Sequence, residues 1–219
     1  MEDDDPYRMF LVVRRGAFED LETGGVLAGA AAVACLRRFE EDPEYAPAIA
    51  AWRQRPGKVT LRARGGQWDQ VLHEEQLTIA GDPEAAAVLA LPPRRRSERS
   101  DLLTKLQAMA SDLAPLPRAD TTPQPDGGGR VTYVVNPRLE MSSGKTMAQI
   151  AHAGTQAAAT GDLEGWVDAG CPARAVVPTS RRAFDALCAS EHLVAKIEDA
   201  GLTEVPPGTI TVLALPPAD

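Results

Sequence analysis

The stretch Asn136-Pro-Arg-Leu-Glu-Met-Ser-Ser-Gly-Lys-Thr-Met-Ala-Gln-Ile-Ala-His-Ala153 carries the densest polar chemistry of the chain. Lys145, Gln149 and His152 are four and three residues apart, so a helix stacks them on one face while Met147 and Ile150 turn elsewhere. A helix starting near Ser143 or Gly144 leaves free backbone N–H groups there. With Ser142, Ser143 and Lys145 beside them, those groups form a seat for a phosphate or carbonyl oxygen. A lysine at a helix N-terminus opposes the macrodipole unless an anion answers it, so Lys145 asks for a ligand or a partner. His152 has a plainer reading, since a single histidine on an Ala-rich helix most often packs or braces a loop. Gly144-Lys145-Thr146 has the ending of a P-loop, but that motif needs glycine where Leu139 stands, which argues against an ATPase.

Strand and helix signals place this stretch. Val131-Thr-Tyr-Val-Val135 reads as a strand, and an Ala-rich helix follows over Thr146 to Ala159. Arg174 to Val177 reads as a second strand after Trp166, and a short helix carries Phe184 to Leu187. The first half shows the same order: a strand at Met9 to Val13, glycines at Thr23-Gly-Gly25, a helix over Val26 to Phe39, Trp52, a strand at Lys58 to Arg62, and a helix with Trp68 to Leu72. Each half closes on the identical hexapeptide Val-Leu-Ala-Leu-Pro-Pro, at 88–93 and 212–217. The repeated order predicts a tandem duplication, and the alternation of strand and helix predicts an α/β layer in each half.

Between the halves, the charged run Arg94 to Arg99 precedes Ser100, a good N-cap. Leu102, Leu106, Met109 and Leu113 then predict an amphipathic helix over 101–113. Residues 115–130, rich in Pro, Gly and polar types, read as a flexible linker. The chain divides on this reading into 8–93, a joint at 94–130, and 131–219.

Composition excludes several classes. With 219 residues, 44% hydrophobic and 25% charged, the chain has material for a real core. No run of about 18 apolar residues exists to span a bilayer, and the acidic start Met1 to Pro6 has the wrong sign for a leader peptide. Cys35, Cys171 and Cys188 are odd in number and widely spaced, which argues against a disulfide framework or a zinc site and favours a reducing cytoplasm. The net charge of −8 argues against a broad basic nucleic-acid surface. Residues 1–93 carry ten basic against sixteen acidic side chains, 94–130 seven against five, and 131–219 six against ten. Any RNA contact must therefore come from a local patch.

Leu139-x-Met-x-x-Gly-Lys-x-x-Ala-Gln-x-x-His-Ala153 is similar to the N-terminal signature of the archaeal and eukaryotic-type peptidyl-tRNA hydrolases (the peptidyl-tRNA hydrolase 2 family). Asp199-Ala-Gly-Leu-Thr203, followed by Pro207-Gly208 and Thr211-Val-Leu213, resembles the second signature. Together they span residues 131–217. The resemblance implies an α/β domain with a four-stranded mixed sheet flanked by helices, no metal or organic cofactor, and hydrolysis of the ester joining a peptide to the 3′ ribose of tRNA. It also implies Lys145, Gln149, His152, Asp199, Thr203 and Thr211 as functional positions. Ester hydrolysis needs a positioned water, a proton acceptor and donors facing the oxyanion. Lys145, Asp199, Thr203 and Thr211 are expected to be catalytic, and Ser143, Gly144, Gln149 and His152 to bind substrate. Asp199 alone could equally be a turn residue ahead of Gly201.

Two departures weaken the expected grip on tRNA. Leu202 stands where the family usually has arginine, and Ser142 and Ser143 stand where an extra basic residue is usual. A catalytically weak tRNA- or ribosome-associated binding protein of the same fold is therefore the alternative. Laid on the second half, the first places Gly24 and Gly25 at Gly144 and Lys145, Gly29 at Gln149, Ala32 at His152 and Glu75 at Asp199. The first half then reads as a worn copy without the polar cluster, packed on residues 131–217 as an intramolecular pseudo-dimer, with the chain a monomer acting on peptidyl-tRNA.

Overall fold

A computed structural model describes residues 5–110 and 113–218. Most of the acidic start, and two residues of the expected joint helix, lie outside the described residues. Strand β1 (Arg8–Arg14) leads into helix α1 (Leu21–Phe39), then α2 (Ala46–Gln54), β2 (Lys58–Ala63), α3 (Gly66–Leu72), β3 (Thr78–Gly81) and β4 (Ala87–Arg94). A 3-10 turn, α4 (Asp101–Lys105) and the two-residue strands β5 (Gln107–Ala108) and β6 (Arg118–Ala119) form the joint. The second half runs β7 (Val131–Val135), α5 (Ser143–Ala158), α6 (Glu164–Asp168), β8 (Ala173–Pro178), α7 (Arg181–Cys188), β9 (Ala195–Asp199) and β10 (Thr209–Leu215).

The strands form two mixed sheets, ordered β3-β4-β1-β2-β5 and β6-β8-β7-β10-β9. In each, the first strand of the half pairs parallel with the second and antiparallel with the last. Parallel pairing needs a crossover, and the helices between β1 and β2, and between β7 and β8, supply it. Central strands covered on both faces read as continuous apolar runs. In β1, Met9, Leu11 and Val13 enter one apolar cluster, while Phe10 and Val12 enter another on the opposite face.

Each sheet has five strands rather than the expected four. The joint supplies the fifth in both cases: β5 pairs antiparallel with the edge of β2, and β6 pairs parallel with the edge of β8. Edge strands carry unpaired N–H and C=O groups that a neighbouring extended segment satisfies. This pairing also corrects the long joint helix. Ser100 does cap α4, its hydroxyl accepting from Leu103 N, but the helix stops after Lys105 and Leu106 turns extended. As a strand, the segment pairs with Leu61 and Arg62 and still sends Leu106 to one core and Met109 to another. The segment read as a flexible linker is likewise tied down. Pro117 and Ala119 carbonyls accept from Val177 N and Thr179 N, and Asp126 O accepts from Ala218 N.

The largest apolar cluster is shared by both halves, from Met9, Leu11 and the buried face of α1 to Tyr133, Ile150 and Val212. Helices α1 and α5 cross so closely that a Cβ on Gly154 would lie 3.3 Å from the Cα of Gly29. Cys35, Cys171 and Cys188 are free thiols. No helix among the described residues is long and apolar enough to cross a membrane.

Candidate active site

Helix α5 begins at Ser142, whose hydroxyl accepts from Lys145 N, while its own N–H and O–H donate to the Glu204 carboxylate. This cap aims the Lys145 side chain across to the end of β9. There the Lys145 ammonium donates to Asp199 Oδ2 at 2.6 Å and to Thr203 Oγ1 at 3.2 Å. One helical turn on, Gln149 Nε2 donates to the same Asp199 oxygen at 2.7 Å. Thr211, on β10 beneath, donates its hydroxyl to Gln149 Oε1 at 2.6 Å and so fixes which end of the amide faces the carboxylate. The remaining oxygen, Asp199 Oδ1, accepts from Gly201 N at 2.8 Å. That turn needs the left-handed backbone of Gly201, with φ +74°, where a Cβ would strike Pro207.

The side chains of Lys145, Gln149, Asp199, Thr203 and Thr211 form one hydrogen-bonded chain. Lys145 and Asp199 side chains are only 10% and 7% exposed, so water screens the pair weakly. Lys145, Gln149, His152, Asp199 and Thr203 line a cleft of about 750 Å³. Thr211 is fully buried behind it and acts on the cleft through Gln149.

Ser143 and Gly144 are placed elsewhere. Ser143 Oγ accepts from Leu113 N, and Gly144 O accepts from Thr60 Oγ1. A Cβ on Gly144 would lie 2.1 Å from the Met109 carbonyl. Both residues therefore face the joint and the first half instead of the cleft, which corrects the expected oxygen seat. Their position on the helical wheel explains it: Ser143 precedes Lys145 by two residues, roughly 160° away around the axis.

The other wall of the cleft comes from the first half, through Arg8, Trp52, Arg55 and Lys58. Lys58 Nζ lies 3.0 Å from both His152 Nδ1 and Thr155 Oγ1, and 4.5 Å from the centre of the Trp52 ring. Trp52 and His152 stack with an interplanar angle of 9°. Thr155 Oγ1 contacts the Ala151 and His152 carbonyls, where its own proton goes, so it accepts from Lys58. Burial holds His152 well below the usual imidazole range, helped by the positive charges of Lys58, Lys145 and Arg8. A neutral ring accepting at Nδ1 carries its proton on Nε2. Sequence reasoning missed Lys58 because nothing local marks it; only the expectation that two halves meet hinted that this wall would be composite.

The first half holds no equivalent cluster. Val13 and Val135 take matching places opposite Val88 and Val212, and the helix caps Asp20 and Ser142 each follow seven residues later. That register sets Thr23, Leu27 and Ala30 at the places of Lys145, Gln149 and His152, two positions off the glycine-based match. Following β3 along β4 sets Asp82, not Glu75, at the place of Asp199. The corresponding hollow, about 570 Å³, is lined by Leu27, Ala30 and Ala80 among others.

Residues 130–219 match the family described as peptidyl-tRNA hydrolase PTH2. A peptidyl-tRNA hydrolase of Thermococcus onnurineus (strain NA1) is 38% identical over 95 residues, covering 39% of this chain and 80% of the relative. One of Thermococcus sibiricus (strain DSM 12597 / MM 739) is 38% identical over 94 residues, covering 38% of this chain and 80% of the relative. No solved structure gives a significant match. Through its second half, which carries the buried Lys145–Asp199 pair, the chain belongs to the peptidyl-tRNA hydrolase family.

Proposed function

We propose that the chain hydrolyses the ester between a peptide and the 3′ ribose of tRNA, and that Lys145, Gln149, Asp199 and Thr203 work directly in the cleft. The observation that carries this reading is the buried ammonium–carboxylate pair opening on that cleft with neutral donors around it. Lys145 has three N–H donors and uses two, on Asp199 and Thr203, leaving one for the oxyanion. A carboxylate offers about four acceptor positions, and Asp199 fills three. The fourth, on Oδ1, holds the attacking water. Water adds to the ester carbonyl carbon, its proton passes to Asp199, and the negative oxygen is met by Lys145. The carbon–oxygen bond to the ribose then breaks, and the proton goes to the leaving 3′ oxygen. The products are a free peptide and tRNA with its 3′ hydroxyl restored. Thr211 positions Gln149, and His152 offers a neutral Nε2–H donor to the bound substrate.

The first half (8–93) is a duplicated, non-catalytic copy that packs on 131–219 as an intramolecular pseudo-dimer, laced by 94–130. Three matched details support this. The hexapeptides hold the same register, Val88 opposite Val13 and Val212 opposite Val135. The Gly57 carbonyl accepts from Met9 N and Trp52 Nε1, and Pro172 O accepts in the same way from Val131 N and Trp166 Nε1. Asp82 and Asp199 each accept the N–H two residues on. The chain so built is a monomer, and its substrate places it in the cytoplasm.

Release of labelled peptide from peptidyl-tRNA, with and without Lys145→Met, tests the activity. Equal rates for both proteins, or tRNA binding without turnover, would overturn the hydrolytic reading. Residues 131–219 expressed alone test the pseudo-dimer: the fragment is expected to aggregate or to lose activity, and a stable, fully active monomer would refute it.

A further inference from the structure

Lys58 is a cleft cation to which the mechanism above gives no contact with substrate. It opens β2 in the first half, yet its ammonium projects into the cleft that α5 and β9 of the second half build. Its partners are all neutral: an imidazole nitrogen, a threonine hydroxyl and the face of an indole. No carboxylate pairs with it among the described residues, in contrast to Lys145, Arg37, Arg53 and Arg138. Enclosure pulls the ammonium well below its ordinary pKa range, so the fold bears a cost for holding a cation there. Two neutral acceptors leave the third N–H of an ammonium unassigned. Its topological counterpart in the other sheet, opposite Val131 as Lys58 is opposite Met9, is Ala173, so the architecture itself does not require a lysine.

We propose that Lys58 is a substrate-binding residue supplied by the non-catalytic half, whose ammonium takes a backbone phosphate of the single-stranded 3′ end of the tRNA. This rests on the hydrolytic reading of the same cleft. The substrate is a polyanion, the chain carries net charge −8, and Asp199 already neutralises Lys145. Lys58, which no carboxylate neutralises among the described residues, is thus a cleft cation positioned to receive a phosphate while the ester lies between Lys145 and Asp199. Arg8 on the same wall adds positive potential. Phosphate is favoured over a peptide carboxylate because the peptide's own carboxyl group is tied up in the scissile ester.

The test compares the full chain with Lys58→Met and Lys58→Arg on two substrates: peptidyl-tRNA, and an N-blocked aminoacyl ester of adenosine that has no phosphate. Lys58→Met is expected to raise KM for peptidyl-tRNA about tenfold while changing kcat less than about twofold. Its plot of log kcat/KM against log salt should be shallower by about 0.7, one single-strand phosphate contact fewer. The adenosine ester, which has no phosphate to lose, should be affected far less than peptidyl-tRNA, and Lys58→Arg should restore most of the affinity. Filter binding of uncharged tRNA should weaken by a similar factor. An equal loss on both substrates, seen in kcat, would show that Lys58 acts only by holding His152 and would overturn the proposal. So would unchanged tRNA binding and an unchanged salt slope. If the parent protein cleaves neither substrate, the hydrolytic reading fails, and the tRNA-binding comparison still decides the role of Lys58.

Discussion

Removing one member of the Lys145–Asp199 pair is the sharpest test of the site, because stability and activity then separate. Lys145→Met keeps the length of the side chain and deletes the charge. It leaves a carboxylate 7% exposed with two donors, Gln149 Nε2 and Gly201 N. Breaking a buried ion pair costs about 3–5 kcal/mol, mostly from the charge left behind. Two surviving donors offset part of this, so about 3 kcal/mol is expected, a fall in Tm of roughly 6–12 °C for a chain of this size. Asp199→Asn strands an ammonium 10% exposed, with Thr203 Oγ1 as its remaining charge-free acceptor and a competing amide beside it. Its cost should lie near the upper end, about 5 kcal/mol. The double variant removes both charges and should be less destabilised than the sum of the singles by about 2 kcal/mol or more. Urea unfolding measures all three. Activity follows a different pattern: each single variant loses about 100-fold or more in kcat, and the double variant regains none of it. A double variant that recovers turnover, or a Lys145→Met protein within about 1 kcal/mol of the parent and active, would refute the assigned roles.

Thr211→Val deletes the donor to Gln149 Oε1 and leaves that oxygen buried and unpaired, at about 1–3 kcal/mol. Because Thr211 does not line the cleft, kcat should fall with KM unchanged, and Thr211→Ser should recover both; a change confined to KM would contradict this. Tyr133→Phe removes a buried hydroxyl that has no hydrogen-bond partner among the described residues, crowded against Gly29 and Gly154. Its urea midpoint should stay the same or rise, by up to about 1 kcal/mol in stability, and a clear loss would mean a hidden partner. His152 is held neutral by burial and by Lys58, Lys145 and Arg8. Its ring signals should not titrate between pH 8 and 6 in the folded protein. The unfolded chain does take up that proton below about pH 6.5, so this group makes folding less favourable as pH falls through that point. Comparing His152→Asn with the parent isolates the effect; equal stability profiles below pH 6.5 would count against a buried neutral ring.

The elements that were legible in the sequence are those whose local signals and tertiary roles coincide. Val131 to Val135 is buried throughout because both its faces are covered, and its boundaries match the strand. Helix α5 starts where Ser142 can cap it, and the 3.6-residue period does set Lys145, Gln149 and His152 on one side. Ser143 and Gly144 face away because neighbours in sequence do not share a direction on a helix: they stand roughly 160° and 100° from Lys145 around the axis. The joint departs from its pattern for another reason. Leu102, Leu106 and Met109 satisfy a helical period, but the open edge of β2 offers backbone partners to the same segment, and no local pattern reveals an edge. Lys58 was invisible because its significance lies wholly in what faces it across the two halves.

The two hollows share a backbone plan and differ in their side chains. Both arise where one half's long helix meets the edge strand of its own sheet, β3 or β9, and the Trp-bearing segment of the other half. Backbone register is common to both, down to the carbonyl that receives a strand N–H and an indole. Side chains differ: Leu27 and Ala30 answer Gln149 and His152. A buried ion pair is expensive to maintain, and replacing it with apolar groups of similar volume often stabilises a fold. The first half carries no such pair, with Thr23 and Asp82 at the two places and apolar Leu27 and Ala30 beside them, and it is the half whose Gly25 and Gly29 let α1 approach Ile150 and Tyr133 on the other side of the shared core. Stability and chemistry are thus divided between the halves, but not cleanly, because Lys58 crosses the boundary. A half that served only as a scaffold would gain by exchanging that lysine for an apolar residue; its presence beside His152 is the physical reason to treat the cleft as the product of both halves.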